Sequence, residues 1–83
     1  MPFNKYFGNK KIGMDPKKLG KKIKLARIES DMTQIELAEA TGILQKSISH
    51  YETGQALPTL ETLAKIVKVL KKPFGYFLDE YNS

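Results

Sequence analysis

The stretch that decides the fold is TQIELAEATGILQKSISHYETG, residues 33–54. It opens with Thr33, followed three residues later by Glu36, which is the pattern of a capping box at a helix N-terminus. In such a box the threonine hydroxyl accepts from the Glu36 amide, and the glutamate reaches back to the Thr33 amide. The helix is predicted to stop at Gly42, because glycine tolerates the left-handed backbone of a tight helix exit.

A second short helix is predicted within the same stretch. It begins at residue 44 or 45 and runs to residue 52, with Ile48 and Tyr51 on one face. Gly54 then provides the second exit. Two short helices separated by a glycine-containing turn indicate a helix-turn-helix, a motif that is typical of DNA-binding proteins.

Three further helices are predicted around this pair. The first begins at Asp15-Pro16, since aspartate can cap a helix and proline is tolerated at its first position, and it extends to about Ser30. A longer helix follows Thr59 as its cap, and a last short helix follows the break at residues 71–73. In the longer helix Ile66 or Val67 fits the spacing, and Val67 is assigned to the core. The predicted core is Leu19, Ile23, Leu37, Ala38, Ile48, Leu63, Val67, Leu70 and Phe77. The predicted fold class is all-α with five helices.

Composition fits one domain at residues 15–83, preceded by an arm at residues 1–14. The chain has no cysteine, which excludes a disulfide framework and a zinc-thiolate site. No apolar run approaches the roughly 20 residues that span a bilayer, and the N-terminus lacks the apolar stretch of a secretion signal. We therefore expect a cytoplasmic protein without membrane contact. The single histidine has no catalytic or metal-binding partner in the pattern, so we expect no enzyme, metal or cofactor.

The formal charge of +5 is unevenly distributed along the chain. Residues 1–27 contain nine lysines and arginines against Asp15 alone, whereas residues 28–64 contain only Lys46 against six acidic residues. A basic end is typical of a protein that meets a polyanion, because phosphate contacts dominate non-specific nucleic-acid affinity. The alternative is a solvated lysine face that maintains solubility.

Four groups of residues form a signature that is specific in combination: Thr33-Gln34-x-Glu36-Leu37-Ala38, Thr41-Gly42-Ile43, Ser47-Ile48-Ser49-x-Tyr51-Glu52-x-Gly54 and Pro58-Thr59-Leu60-x-x-Leu63. With this signature, residues 19–78 resemble the phage-repressor and Cro-type helix-turn-helix family, also called the xenobiotic-response-element family. The resemblance implies a lambda-repressor-like domain in a transcriptional regulator that binds double-stranded DNA. Three kinds of regulator in this family have a similar length: restriction–modification controllers, phage switches and antitoxin autoregulators.

In this family the second helix of the motif enters the DNA major groove. The resemblance therefore implies base contacts from the outward-facing Gln45, Lys46, Ser49 and His50. Glutamine can bond adenine, lysine can reach guanine, and serine can serve either base. The alternative is that all four form only the polar face of an amphipathic helix. Lys46 could instead contact a phosphate, and a lone histidine is ordinarily a surface residue.

The resemblance also implies contacts with the DNA backbone from Gln34, Thr53, Gln55 and Thr59. Gln34 lies in the first helical turn, where free N–H groups favour anions, although it could be an ordinary polar residue of that turn. Arg27 and Glu52 resemble a family pair that forms a partly buried salt bridge and orients the recognition helix. Arg27 could alternatively contact a phosphate, or do both.

The sequence departs from the family at Leu44. A small capping residue, serine or threonine, ordinarily opens the recognition helix there. Leucine cannot cap with its side chain, so the helix start stays open between residues 44 and 45. A leucine at that position could instead contact a thymine methyl group.

A symmetric homodimer is predicted, because one such domain reads only a few base pairs. The predicted dimer surface is C-terminal and consists of Phe74, Tyr76, Phe77, Leu78 and Tyr81. The alternative is that these aromatics close the core of a monomer, and the arm residues Phe3, Tyr6 and Phe7 could cover them or reach a partner or the DNA. The competing function is a protein-interaction or antitoxin-like module of the same fold, which acidic or apolar residues on the outward face would favour.

Overall fold

The computed structural model describes residues 15–78, which form five α-helices and contain no strand. The predicted all-α fold is therefore confirmed, while the predicted arm at residues 1–14 and Tyr81 lie outside the described residues. The helices in chain order are α1 (Pro16–Glu29), α2 (Gln34–Thr41), α3 (Gln45–Thr53), α4 (Leu60–Leu70) and α5 (Phe74–Leu78).

The helix ends follow the local capping residues. At α2 the Thr33 Oγ1 atom accepts from the Glu36 amide at 3.0 Å, and the Thr33 amide donates to Glu36 Oε1 at 2.8 Å, so the capping box is confirmed. At α4 the Thr59 hydroxyl accepts from the Thr62 amide at 3.1 Å. Gly42 has the left-handed φ of 76° that was predicted for the helix exit.

The N-terminus of α1 differs from this pattern. Asp15 occupies the N-cap position with an extended backbone, but its side chain makes no capping hydrogen bond. Its carbonyl oxygen accepts from the Leu19 amide at 2.9 Å. Pro16, which lacks an N–H, is the first helical residue, so one fewer donor needs a cap there.

The core lies where all five helices meet. Its fully buried residues include Ile48 of α3, Leu63 and Ile66 of α4 and Phe77 of α5. The full set is Leu19, Ile23, Ala26, Leu37, Ala38, Ile48, Leu63, Ile66, Leu70 and Phe77. The assignment of Val67 to this set was wrong, because Val67 is only partly buried and packs against the edge of the core. At about 3.6 residues per turn, Ile66 shares a face with Leu63 and Leu70, and Val67 is rotated away from it.

The α1 and α3 helices approach each other closely at Gly20. A Cβ atom placed on Gly20 would be 2.3 Å from the Tyr51 carbonyl oxygen and 2.7 Å from that of Glu52. Only a residue without a side chain allows this separation, so Gly20 sets the distance between the two backbones. The α1 helix therefore lies directly on the C-terminal end of α3.

The short α5 helix is held against α1. Lys22 donates from Nζ to the Tyr76 carbonyl at 3.1 Å, and the Lys22 and Lys72 ammonium groups lie 5.7 and 4.9 Å from the centre of the Tyr76 ring. Lys72 also pairs with Glu29 of α1 at 3.0 Å. Phe77 is completely buried in the core of its own chain. Its assignment to the dimer surface was therefore wrong, because the packing of α5 turns it inward.

None of the helices in residues 15–78 is both long and apolar enough to cross a membrane. Within the same residues, no three histidine, cysteine, aspartate or glutamate side chains are placed to hold a metal ion.

Candidate nucleic-acid interface

The α3 helix has one inward and one outward face. Ile48 is fully buried and Tyr51 packs partly buried against the core. On the opposite side the side chains of Gln45 and Lys46 are exposed, and those of Ser49 and His50 are half-buried. All four residues that were predicted to contact bases thus belong to α3, with the two most exposed of them in its first turn.

The N-terminal end of α3 is uncapped by its flanking side chain. Leu44 occupies the N-cap position with an extended backbone and makes no side-chain hydrogen bond, so the helix begins at Gln45. Leu44 is 75% exposed, more than any other large apolar residue at positions 15–78. The first turn of α3 therefore presents an apolar side chain and two long polar ones on a single surface.

The C-terminal end of α3 is closed by backbone hydrogen bonds. Gly54 has a φ of 81°, and the carbonyl of His50 accepts from the amides of Gln55 and Ala56 at 2.9 and 3.3 Å. The Thr53 hydroxyl donates to the Ser49 carbonyl at 3.0 Å. That proton is already used within the helix, so Thr53 would have to release Ser49 before it could donate to a phosphate.

Two other residues that were predicted to contact the DNA backbone, Gln55 and Thr59, lie after α3. They differ in whether the side chain serves as a helix cap. Gln55 is exposed in the loop that follows Gly54. Thr59 is exposed as well, but its hydroxyl accepts from the Thr62 amide and lies 3.0 Å from the Thr62 hydroxyl. The Thr59 hydroxyl thus serves as the cap of α4, while Gln55 has an amide side chain that faces solvent.

A charged network joins α1, α2 and α3 beneath this surface. Arg27 donates from Nε to Glu52 Oε2 at 2.6 Å and from Nη2 to Glu52 Oε1 at 3.0 Å. Its remaining nitrogen, Nη1, donates to the Met32 carbonyl at 2.7 Å. Both residues are buried, at 9% and 7% exposure. The hydrogen bonds with Glu52 raise the pKa of Arg27 above its usual value, although burial opposes the shift.

This geometry supports an orienting role for Arg27 rather than a phosphate contact. All three guanidinium nitrogens donate within the protein, and the side chain is largely inaccessible. The paired carboxylate belongs to the penultimate residue of α3, so the bridge fixes the C-terminal end of that helix against α1.

Sequence reasoning missed a third member of the network. Gln34 donates from Nε2 to Glu52 Oε1 at 3.0 Å, which connects the first turn of α2 to the end of α3. The two residues are 18 positions apart, and no periodic pattern or motif spacing links them. An amide nitrogen carries two N–H groups, so one can remain on Glu52 while the other faces outward.

The chain is similar to known proteins over this same region. Residues 23–77 match the model of the helix-turn-helix family. The ImmF control region 10 kDa protein of Bacillus phage phi105 is 42% identical over 53 residues, which cover 64% of this chain and 59% of that protein. Antitoxin HipB of Escherichia coli K12 is 39% identical over 56 residues, covering 68% of this chain and 64% of HipB.

A further relative is the cryptic phage CTXphi transcriptional repressor RstR of Vibrio cholerae. It is 31% identical over 62 residues, covering 75% of this chain and 56% of the repressor. The chain thus matches less than two thirds of the length of each of these three relatives. The shared part contains α2 and α3, the two helices that carry the surface described above.

Proposed function

We propose that this chain, which belongs to the helix-turn-helix family of phage-repressor and Cro type, is a transcriptional regulator that binds specific double-stranded DNA sequences. The observation that carries the proposal is the combination of an exposed N-terminal turn and a fixed C-terminal end in α3. Gln45 and Lys46 face solvent, while Glu52 is bound to Arg27 on the neighbouring helix. A helix held in this way can enter the major groove in one orientation.

Base reading is assigned to the outward face of α3. Gln45 carries an amide that can bond adenine at two atoms, and Lys46 carries an ammonium that can reach guanine O6 and N7. Ser49 and His50 follow on the same face and are half-buried. They would contact bases only if α3 entered the major groove more deeply. The ranking that follows is Gln45 and Lys46 first, and Ser49 and His50 after them.

Backbone binding is assigned to residues at both ends of the motif. Gln34 lies in the first turn of α2 and is held by Glu52, so its amide is already oriented before DNA arrives. Gln55 is exposed in the loop after α3. These side chains would set the register of the protein on the duplex without reading sequence. The hydroxyls of Thr53 and Thr59 contribute less, because both already make hydrogen bonds within the protein.

The regulator acts as a symmetric homodimer in this proposal. Two half-sites about 34 Å apart extend the few base pairs that one recognition helix reads. Among the described C-terminal residues, Phe74, Tyr76 and Leu78 are partly exposed, and Phe74 and Tyr76 also pack against their own core. Sedimentation equilibrium at tens of micromolar tests this directly. A single-chain mass combined with one-to-one binding to a palindromic site would rule the dimer out.

A second function, an antitoxin-like module that binds a protein partner, is favoured by the relative named antitoxin HipB. The two functions differ in the surface they require. A protein-binding module is expected to present acidic or apolar residues on the face of α3, whereas this face carries Gln45, Lys46, Ser49 and His50. Leu44 is the apolar exception at its edge.

Selection of bound duplexes from a random DNA pool tests the proposed function. We expect enrichment of a two-fold symmetric motif, with affinity that falls steeply as salt rises. The matched control repeats the selection with Gln45→Ala, which should enrich a motif that is degenerate at one base pair of each half-site. Recovery of no common motif by the unaltered chain would contradict sequence-specific binding and favour the protein-binding module.

A further inference from the structure

The first turn of α1 lies against the loop that leaves α3. A Cβ atom placed on Gly54 would be 2.7 Å from Lys17 Cγ and 3.1 Å from Lys17 Cα. The stem of Lys17 is therefore packed directly on the residue that ends α3. Gly54 stands between Thr53 and Gln55, two of the residues assigned to the DNA backbone.

The packing of α1 places Lys17 and Lys18 on different sides. Gly20, less than one turn after Lys17, touches the carbonyls of Tyr51 and Glu52, so this edge of α1 follows the end of α3. Successive residues of a helix are rotated by roughly 100°, which carries Lys18 away from that edge. Both lysines are exposed and lie in the first turn of the same helix.

The charge of Lys17 is placed unfavourably relative to the dipole of its own helix. The first turn of α1 contains no acidic residue, and a cation near a helix N-terminus faces the positive end of the helix dipole. A methylene stem that packs on Gly54 would fix the direction of the side chain equally well without the ammonium group. Packing on Gly54 thus uses the stem of Lys17, while the residue as a whole stays exposed.

We propose that Lys17 is an additional phosphate-binding residue, which extends the DNA-binding surface from the loop after α3 onto α1. The inference rests on the proposed function, since it takes the loop of Thr53 and Gln55 to follow the sugar-phosphate backbone. Lys17 Cγ lies against Gly54, and the ammonium group is three bonds further along the side chain, within reach of a phosphate beside that loop. Its contact is with phosphate alone and adds affinity without sequence preference.

The experiment compares Lys17→Met with Lys18→Met in the full chain. Both variants lose one positive charge from the same helical turn, and methionine keeps an unbranched stem for packing. Fluorescence anisotropy titrations over a series of salt concentrations use a duplex selected by the unaltered chain and an unrelated duplex of equal length. We expect Lys17→Met to reduce the slope of log affinity against log salt by about 1 on both duplexes. Lys18→Met should leave the slope close to that of the unaltered chain.

The salt slopes test the role of Lys17 separately from the proposed function. Equal slopes for the two variants, or an unchanged slope for Lys17→Met, would overturn the inference while the proposed function stands. An unaltered chain that shows no salt-dependent binding to either duplex would overturn the proposed function and the inference together. Thermal unfolding of both variants is the control for folding. A reduced slope supports the inference when the Lys17→Met protein has the same melting temperature as the unaltered chain.

Discussion

At its N-terminal end α3 begins with Gln45 and Lys46, which follow Leu44 at the N-cap position. All three residues are exposed, and Leu44 makes no side-chain cap. At its C-terminal end the same helix lies beneath α1, in contact with Gly20 and bonded to Arg27. Nine residues thus combine a free end and a fixed end. The difference separates two tasks, since the fixed end determines where the helix points and the free end determines what it can touch.

Substitutions at the fixed end are expected to lower the free energy of unfolding strongly. Burying one partner of an ion pair without the other leaves an uncompensated charge, whereas an exposed pair contributes little. Residues 15–78 provide an example of each kind, the buried Arg27–Glu52 bridge and the more exposed Lys72–Glu29 bridge. These two pairs allow a matched comparison within one chain.

The largest effect is expected from Glu52→Ala. This change strands the buried guanidinium of Arg27 and should lower the free energy of unfolding by about 3–5 kcal/mol. Urea unfolding followed by circular dichroism measures it. The control Glu29→Ala removes the exposed bridge and should cost about 1 kcal/mol or less. Similar losses in the two variants would show that the end of α3 is not held by this bridge.

Gly20→Ala tests the same end through packing alone. The added methyl group would meet the Tyr51 and Glu52 carbonyls at distances that force α1 and α3 apart. We expect a loss of about 1–3 kcal/mol in unfolding free energy, the usual cost of overpacking. Gly75→Ala is the control, because a Cβ there meets no atom within 4 Å. Unfolding of both alanine variants at the same urea concentration would contradict a close contact between α1 and α3 at Gly20.

At the free end the expected effect is on binding and not on folding. Gln45→Ala should cost about 1–3 kcal/mol of DNA affinity and relax the preference at one base pair. Gln34→Ala should weaken binding to all sequences alike, because its assigned contact is with phosphate. Titrations of selected and unrelated duplexes at one salt concentration separate the two. A Gln45→Ala protein with unaltered affinity and preference would remove this residue from the base-reading set.

The smallest effect is a gain in stability from Leu44→Thr. A threonine at the N-cap can accept from a first-turn amide, as Thr33 and Thr59 do, and should add about 1 kcal/mol to the unfolding free energy. Leu60→Thr is the control, since Leu60 is similarly exposed at the start of α4 but Thr59 already caps that helix. Thermal unfolding compares the variants. A higher melting temperature in both would point to loss of exposed apolar surface as the cause.

Several predictions from the sequence depended on interactions within one helical turn. The capping box at Thr33, the cap at Thr59 and the glycine exit at Gly42 all agree with the structure. Such features involve partners three or four residues apart, so the chain specifies them before any helix packs. Eight of the nine residues predicted from helical spacing to form the core are buried in it, and the core also contains Ala26 and Ile66.

Errors appeared where the answer depended on how helices are rotated against one another. Val67 fits the spacing of α4 as well as Ile66, and only the packing of that helix buries Ile66 and leaves Val67 at the edge. Phe77 is apolar on any scale, and only the position of α5 turns it into the core of its own chain. One error was local. Asp15 occupies the N-cap position of α1, but its side chain makes no capping hydrogen bond.

The sequence by itself determined the five helices, the capped N-terminal ends of α2 and α4 and the polar outward face of α3, because caps and periodicity are local properties of a chain. Tertiary structure alone decided that Gln34 is bonded to Glu52, that α1 touches α3 at Gly20 and that Lys17 lies on Gly54. These contacts join residues 18 to 37 positions apart, and their distances depend on the crossing of whole helices. No spacing in a single helix encodes that crossing, since it is fixed only when all five helices share one core.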